Sequence, residues 1–300
     1  MMFYRLLLLA LILGIAATSH AQEQTIKRLS KPISWAQYTY EAPAGITADG
    51  YSDPGENPSV SLQEFQTGAS FPVYFGKSFR VMSGVSFTWH YFNFTGVDLY
   101  NINTFDISIP INVMIPINAE WMIMAVAAPG VHSDLKTVNQ EDFKSAFLLL
   151  ANYTYSENLQ ISVGAAYSRI FGEDRFFPAA GLTWKPAEAW TIRLVFPKPA
   201  VIYSLNDHWR FLIGAEPAGG EWNIENPVIN NNNNEEYTFE FKGWRVGGGA
   251  EYDVTGRWTV YLDAGTTFRR TYKIENDDET ILNSDANDTL SFRLGLQLRR

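Results

Sequence analysis

The sequence comprises 300 residues with a formal net charge of −9, an aromatic content of 15% and no cysteine. The absence of cysteine excludes disulfides, thiol catalysis and thiolate metal sites, and the acidic balance disfavours binding to nucleic acid, whose phosphates require clustered Lys and Arg. Charged residues make up 18% of the chain, which is below the average for soluble domains.

The N-terminus has the features of a secretory signal peptide. Arg5 precedes the apolar run LLLLALILGIAA, and small residues follow at Ser19 and Ala21. This order predicts cleavage after Ala21, and the apolar run is too short to span a bilayer as a helix. The expected organisation is a signal peptide at 1–21, a short segment at 22–31 that is either disordered or a plug, and a single domain at 32–300.

Apolar and polar residues alternate with a period of two through most of the remaining chain. In the stretch FDISIPINV, from Phe105 to Val113, every second residue is apolar, and the closing stretch TLSFRLGLQLRR repeats the pattern. Such alternation predicts β-strands with two different environments on their faces. Pro110 predicts an irregular position within the first run. Further alternating runs lie at 159–167, 190–196, 209–215 and 258–264.

Short and long connections alternate between these strands. Short turns are predicted at 75–79, 116–120, 155–159, 185–189, 205–209 and 253–257, and longer polar segments near 45–57, 94–101, 132–142, 171–175, 223–236 and 274–287. This rhythm is typical of antiparallel strands that cross a bilayer, so the sequence predicts an all-β, transmembrane up-and-down β-barrel. The count is about fourteen strands, with twelve as the alternative if the short pair around the Pro-Lys-Pro turn at 197–199 does not cross.

Aromatic residues follow the short turns. Each tryptophan in this position shares the phase of the apolar face of its strand, and the set comprises Phe79, Trp121, Trp190, Trp209 and Trp258. Amphipathic rings concentrate where a bilayer meets water, so these residues are the predicted membrane-interface girdle at the periplasmic rim. The alternative is a soluble secreted β-sandwich, in which tryptophans would lie at scattered heights.

One predicted strand is out of phase. Phe239 and Phe241 differ in parity from Trp244 further along the same strand. A bulge near Lys242 and Gly243 would place all of them on one face. The triple glycine that follows predicts either a bend in the sheet or the close approach of another group to the backbone.

A motif order within 176–224 connects the chain to known sequences. The order is G-L-x-W-x-P, then an apolar strand that ends F-P-x-P, then a Tyr, then a turn before W-x-F, carried by Gly181, Leu182, Trp184, Pro186, Phe196, Pro197, Pro199, Tyr203, Trp209 and Phe211. This stretch resembles an uncharacterised bacterial family of outer-membrane β-barrel proteins with no assigned activity. The resemblance implies an outer-membrane location and a barrel fold, and it brings no catalytic residues.

Ionisable residues occupy several inner-face positions of the predicted strands. The lumen-lining candidates are Arg80, Asp106, Arg193, Arg210, Glu216, Arg245, Glu251, Asp263 and Arg293. Because both signs are present, these residues either line an aqueous path whose charges select solutes or form pairs across a closed lumen. Fourteen strands lie between the filled eight-stranded barrels and the wide porins, which favours a narrow or plugged lumen.

His90 is the candidate for chemistry at the rim of the barrel. It has inner-face parity beside Ser86 and Thr88, but the spacing does not bring a nucleophile, a base and an acid together, and membership of an aromatic girdle is the simpler interpretation. The acidic cluster between Glu275 and Asp288 does not match a calcium-binding loop and is interpreted as a solvated surface loop. We therefore expect no catalytic residue, no metal site and no cofactor.

The sequence as a whole predicts an outer-membrane protein that is exported through a cleaved signal peptide and is not an enzyme. The first hypothesis for its function is a narrow passive pore or transporter for small solutes. The alternatives are a non-conducting structural or adhesive barrel that displays its loops and, third, a rim hydrolase that uses His90. The expected partners are outer-membrane lipids, the outer-membrane assembly machinery and small solutes, and nucleic acid is not expected.

Overall fold

The computed structural model describes residues 32–47, 57–168, 175–229 and 235–299. The predicted signal peptide and the segment at 22–31 lie outside the described residues. The strands are β1 (Pro32–Gly45), β2 (Ser59–Phe75), β3 (Arg80–Thr95), β4 (Ile102–Ser108), β5 (Ile111–Pro116), β6 (Trp121–Ser133), β7 (Phe143–Ser156), β8 (Leu159–Ser168), β9 (Arg175–Ala187), β10 (Trp190–Val195), β11 (Ala200–Ser204), β12 (Trp209–Glu225), β13 (Glu236–Asp253), β14 (Trp258–Glu275), β15 (Thr280–Ala286) and β16 (Thr289–Arg299). In these described ranges no helix is long and apolar enough to cross a membrane.

The described strands form one closed antiparallel barrel of fourteen strands. Consecutive strands pair with each other, and the pairing of β1 with β16 closes the barrel. β4 and β5 are two parts of one barrel strand that breaks at Pro110, as the sequence predicts. β15 and β16 both pair with β14 and likewise form one barrel strand. The count of fourteen is therefore confirmed, and the short segments around the Pro-Lys-Pro turn are β10 and β11.

The outer wall of the barrel is apolar. In the alternating run from Phe105, Ile107 is 43% exposed and Ile109 is 53% exposed on the outside, whereas Asp106 accepts a hydrogen bond from Trp222 inside the barrel. A continuous belt of exposed Leu, Ile, Val and Phe side chains is the surface that hydrocarbon requires. The predicted transmembrane barrel is thus confirmed, and the soluble sandwich is wrong.

The strands differ greatly in length. β2, β3 and β12 to β14 have 16–18 residues each, whereas β10 and β11 have six and five. The loop predicted at 274–287 is consequently wrong over most of its length, because β14 continues to Glu275 and β15 spans Thr280–Ala286, whereas the loop predicted at 223–236 is shortened only at its ends, by β12 to Glu225 and by the first residue of β13. The longer strands extend past an apolar band of about 25 Å on the side opposite the tryptophans.

The inner faces of these extended strands enclose an apolar plug at the end of the lumen opposite the tryptophans, which is the extracellular end in the predicted orientation. Phe92 and Phe239 meet edge to face with ring centroids 4.7 Å apart, and Phe241 stacks on Tyr272 at 4.9 Å. The plug consists of Ile46, Val60, Leu62, Phe92, Phe94, Val97, Leu99, Ile102, Trp222, Ile224, Tyr237, Phe239, Phe241, Tyr272, Ile274, Ile281 and Leu282. An apolar interior is stable here because each side chain is removed from water by its partners on the opposite wall.

The apolar plug also explains the strand that is out of phase in the sequence. β13 keeps one register with β12 along its length, and Phe239 and Phe241 point inward into the plug instead of toward lipid. A register shift does occur at the expected level, but against β14, where Arg269 is the extra residue with a φ of 52°. This bulge changes the parity of β14, so Thr267 and Arg270 both face the lumen.

Candidate functional site

The predicted girdle residues lie at one rim of the barrel, which is the periplasmic rim in the predicted orientation. The four tryptophans are the first residues of β6, β10, β12 and β14, and the whole set is 39–43% exposed on the outer face. A tyrosine on an adjacent strand contacts each of four members, a feature that the sequence analysis missed although these tyrosines are in phase with the apolar faces. The pairs, with their ring-centroid distances, are Phe79–Tyr74 at 4.7 Å, Trp121–Tyr153 at 4.8 Å, Trp190–Tyr203 at 4.8 Å and Trp209–Tyr252 at 4.7 Å.

The nine lumen-lining candidates lie in four separate places. Arg80 is at the periplasmic rim, with its guanidinium 5.8 Å from the ring of Phe75. Arg210 and Glu251 form an ion pair of 3.0 Å, which Arg299 joins at 3.1 Å. Asp106 lies beneath the apolar plug. The other five, Arg193, Glu216, Arg245, Asp263 and Arg293, surround a single cavity.

This charged cavity lies against the inner side of β10 to β14 and of β16, and it has a volume of about 160 Å³. Its charged lining consists of Arg193, Lys198, Glu216, Arg245, Asp263 and Arg293. Gly214 and Gly247 leave room for the cavity because they carry no side chain on the inner face. Four cations against two carboxylates give the lining a positive balance, so the cavity attracts anions.

Glu216 is the centre of the ion pairs in the charged cavity. Its carboxylate is 3.2 Å from Lys198 Nζ and 3.5 Å from Arg245 Nη1, and it accepts a hydrogen bond from Arg293. Arg293 also lies 3.7 Å from Asp263. Arg293 and Arg245 have further carboxylate partners in Asp263 and Glu41, so Lys198, whose side chain is 60% exposed, is the member of this group whose charge remains available to a bound anion.

Arg193 differs from the other cations of the cavity. Its side chain is exposed within the lumen, and it forms no ion pair with any residue that the structure describes. Burial of an unpaired guanidinium in a dry interior is prohibitively unfavourable. Water must therefore reach Arg193, and with it the charged cavity.

A second ion network lies between the charged cavity and the apolar plug. Glu41 is fully buried, and its Oε1 accepts hydrogen bonds of 2.8 Å from both Arg245 Nη2 and Thr267 Oγ1. Arg270 Nε lies 3.6 Å from the other carboxylate oxygen, and Arg270 also donates to the Tyr272 hydroxyl at 2.6 Å. Glu41 and Arg270 are not among the lumen-lining candidates that the sequence predicts. The alternation of β1 contains the signal for Glu41, but the bulge in β14 hides Arg270.

A cluster of histidines and carboxylates lies on β2, β3, β4 and β6. His90 Nε2 is 3.3 Å from Glu64, and His90 Nδ1 is 3.7 Å from Asp106. The same Asp106 lies 2.6 Å from His132 Nδ1. His90 is therefore buried inside the lumen under Trp222, and its interpretation as a member of an aromatic girdle is wrong.

The surroundings of His90 also bear on catalysis and metal binding. The hydroxyl nearest to its ring belongs to Thr104, at 3.4 Å from Nδ1, whereas Thr88 accepts a hydrogen bond from Gln66. Both ring nitrogens face carboxylates, so the imidazole is engaged in structural pairs. Across the part of the chain that the structure describes, no group of three or more His, Asp or Glu side chains is arranged to hold a metal ion.

Comparison with known proteins identifies a family for this chain. Residues 52–297 match the family described as domain of unknown function DUF6268. No curated protein sequence matches the chain.

Among solved structures, similar chains are outer-membrane barrels. A FadL homologue from Pseudomonas aeruginosa matches at 8% identity and a TM-score of 0.47, over 89% of this chain and 90% of that chain. An outer-membrane channel from Pseudomonas putida F1 matches at 9% identity and 0.45, over 92% and 100%. A deltaS2 mutant of the monoaromatic hydrocarbon channel TodX matches at 9% identity and 0.44, over 89% and 90%. These similarities concern the barrel as a whole.

Proposed function

The chain belongs to the DUF6268 family, whose description assigns no activity, and from that premise we propose that it is a narrow outer-membrane channel for small solutes. The observation that carries the proposal is Arg193, an exposed cation without an ion pair among the described residues, beside the charged cavity in the lumen. Hydrated charges at a constriction select the solutes that pass. The positive balance of the cavity favours small anions over cations.

Recordings from planar bilayers test this proposal. With a salt gradient across the bilayer, the reversal potential measures the preference for anions. We expect steps in current with an anion preference that falls in Arg193→Gln. Arg257→Gln is the matched control, because Arg257 lies in the periplasmic turn before β14 and its substitution should leave the preference unchanged.

A sealed structural or adhesive barrel is the second candidate, and the apolar plug favours it. The plug fills the lumen at the extracellular end, where a straight axial path would open. A purified, folded protein that gives no current in the bilayer, at any voltage that the membrane tolerates, would support the sealed barrel and reject the channel. A rim hydrolase is not proposed, because His90 is buried among carboxylates beneath the plug.

Export to the outer membrane is also part of the proposal. It is supported by the apolar belt and by the N-terminal sequence, although residues 1–31 lie outside the described residues. Sequencing of the N-terminus of the protein recovered from outer-membrane fractions should begin at Gln22. A start at Met1, or recovery from the soluble fraction, would contradict export by a cleaved signal peptide.

A further inference from the structure

The barrel wall is interrupted beside the charged cavity. The short strand β11 follows β12 only as far as the hydrogen bond of 3.0 Å from the Ala215 amide to the Pro199 carbonyl oxygen. Beyond it, residues 216–220 of β12 have no strand partner on this side within the described ranges. Contact with the wall resumes where Asn223 pairs with Ser133 of β6. At about 3.3 Å per residue, the break is about 16 Å long.

The residues at the break suit an unpaired strand edge, which is covered at Pro217, a buried residue. Because the Ala215 amide points toward β11 and alternate residues of a strand point the same way, the backbones of Pro217 and Gly219 also face the break. Proline has no N–H group to leave unsatisfied, which is why it occurs on strand edges. Gly219 has a φ of +150°, and a Cβ atom there would lie 2.1 Å from the Phe241 carbonyl oxygen.

The turn at 196–199 lies across the lower end of the break and contacts both faces of the wall. On the outer face, the ring of Phe196 lies 6.4 Å from the ring of Trp244. On the inner face, Lys198 Nζ lies 3.2 Å from Glu216. The turn is also tied to its neighbours at its two ends, because the Phe196 amide donates to the Ala180 carbonyl oxygen at 3.2 Å and the Pro199 carbonyl oxygen accepts from Ala215. Movement of the turn would break these end contacts while the β10–β11 pairs from Trp190–Tyr203 to Arg193–Ala200 remain.

The break lies at the level of the lipid layer that is farther from the periplasm. Trp209 marks the periplasmic rim of β12, and residues 215–220 are six to eleven positions above it. A tilted strand rises about 2.5 Å per residue along the barrel axis, so the break begins roughly 15 Å and ends roughly 28 Å above the rim. Because the apolar band of a membrane barrel is about 25 Å tall, most of the break lies within the upper half of that band. The Lys144–Glu221 ion pair of 2.6 Å caps its upper end.

The chemistry of the charged cavity defines what fits behind the break. Arg193 is exposed, and the side chain of Lys198 is 60% exposed, so these two cations of the lining are within reach of a bound group. A guanidinium and an ammonium group at one cavity are suited to a carboxylate. The volume of about 160 Å³ holds about five water-sized groups, which is sufficient for a head group and too small for a long chain.

We propose that the break is a lateral port, through which single-chain amphiphiles with a carboxylate head group pass between the lipid layer and the charged cavity. The turn at 196–199 is the gate of this port. The head group binds in the cavity while the acyl chain remains against the apolar surroundings of the break. Onward movement of the molecule through the lumen rests on the proposed channel function, whereas binding in the cavity does not.

Binding of radiolabelled dodecanoate to the protein in phosphatidylcholine nanodiscs tests the cavity. Retention is measured above that of empty nanodiscs, with unlabelled dodecanoate and dodecan-1-ol as competitors. We expect only the carboxylate to compete, and we expect Lys198→Gln to weaken binding by about tenfold, which corresponds to about 1.4 kcal/mol. Arg257→Gln is the matched control. Equal competition by the alcohol, or unchanged binding in Lys198→Gln, would overturn the proposal.

A cross-link across the port tests the gate. The chain contains no cysteine, so the double variant Lys198→Cys/Glu216→Cys joined by a short bifunctional thiol reagent ties the turn to the strand edge. We expect the association rate of dodecanoate to fall in the cross-linked sample relative to the same variant without the reagent, and Lys198→Cys alone, treated identically, to show no fall. An association rate unaffected by the cross-link would reject the port.

Two further measurements make these results interpretable. The folded fraction of each variant is read from the heat-dependent migration of the barrel in detergent gels, so that a misfolded variant is recognised. Bilayer current is recorded for the same preparations. Current without dodecanoate binding overturns the port alone, and binding without current overturns the channel function alone.

Discussion

Trp222 on β12 donates a hydrogen bond of 2.7 Å from its indole nitrogen to the carboxylate of Asp106 on β4, across the lumen. The ring of Trp222 packs in the apolar plug, 5.7 Å from the ring of Phe92. The carboxylate belongs to the polar cluster below, where it also holds His132. One side chain therefore connects the two layers that fill the upper lumen, and it does so at the level where β12 meets β6.

Trp222→Phe isolates the contribution of this hydrogen bond. The substitution keeps an aromatic ring in the plug but removes the donor to Asp106. We expect the free energy of unfolding to fall by about 1.5–3 kcal/mol, the usual contribution of a hydrogen bond to a charged group. Urea titration in detergent micelles measures the change. Trp258→Phe at the rim is the control, and an equal loss in both variants would contradict a specific role for the Asp106 contact.

Glu41→Gln tests the buried ion network. The substitution leaves Arg245 and Arg270 without their shared carboxylate in a site from which water is excluded, so we expect a loss of about 3–5 kcal/mol in unfolding free energy. The double variant Glu41→Gln/Arg245→Gln should lose less than the sum of the two single variants. Additivity within about 0.5 kcal/mol would show that the two residues do not interact.

Adjacent residues of β12 test which face meets lipid. Ile213 lies on the outer belt and is 59% exposed, whereas Leu212 lines the charged cavity. We expect Ile213→Arg to lower the unfolding free energy by about 2–4 kcal/mol because it places a charge in hydrocarbon. Leu212→Arg should lower it much less, since water and Glu216 are within reach. Equal losses in refolding titrations into lipid vesicles would contradict the assignment of the two faces.

Removal of plug side chains tests the axial barrier. Phe92 and Phe239 meet at the centre of the plug, and we expect the variant Phe92→Ala/Phe239→Ala to raise single-channel conductance because the extracellular end of the lumen opens. Its ion preference should stay that of the parent, since Arg193 is unchanged. Phe211→Ala on the lipid face is the control. A conductance equal to that of the parent would show that the plug does not obstruct the axial path.

Local sequence patterns are sufficient to predict the lipid-facing surface of this barrel. Alternation places Ile107 toward lipid and Asp106 toward the lumen, and the turn rhythm gives the strand count. The tryptophans after short turns give the periplasmic rim. Each of these inferences uses only the geometry of a single strand and the two environments on its faces, and the structure agrees with the predicted transmembrane barrel.

The interior of the barrel cannot be predicted in the same way, because the surroundings of each inward side chain depend on residues of other strands. The sequence predicts that Phe239 and Phe241 face lipid, but they face inward, where Phe92 lies across the lumen and Trp222 pairs with Phe239 on the adjacent strand. Arg270 is displaced from the expected parity by a single bulge at Arg269. The acidic segment after β14 is predicted to be a solvated loop. In the structure, Glu279 lies in the turn between β14 and β15 and accepts a hydrogen bond of 2.7 Å from the hydroxyl of Tyr237 on β13.

The sequence by itself thus determined the fold class and the lipid-facing belt, and it predicted nine inner-face charges, because side-chain alternation is a property of each strand alone. Only the tertiary structure decided which of those charges meet, where the lumen is filled by apolar side chains, and where the wall between β11 and β6 is interrupted. These features depend on closure of the barrel, which brings Asp106 to Trp222 and Glu41 to Arg245 over separations of 116 and 204 residues. The alternation of apolar and polar residues carries no information about contacts between residues so far apart in the chain.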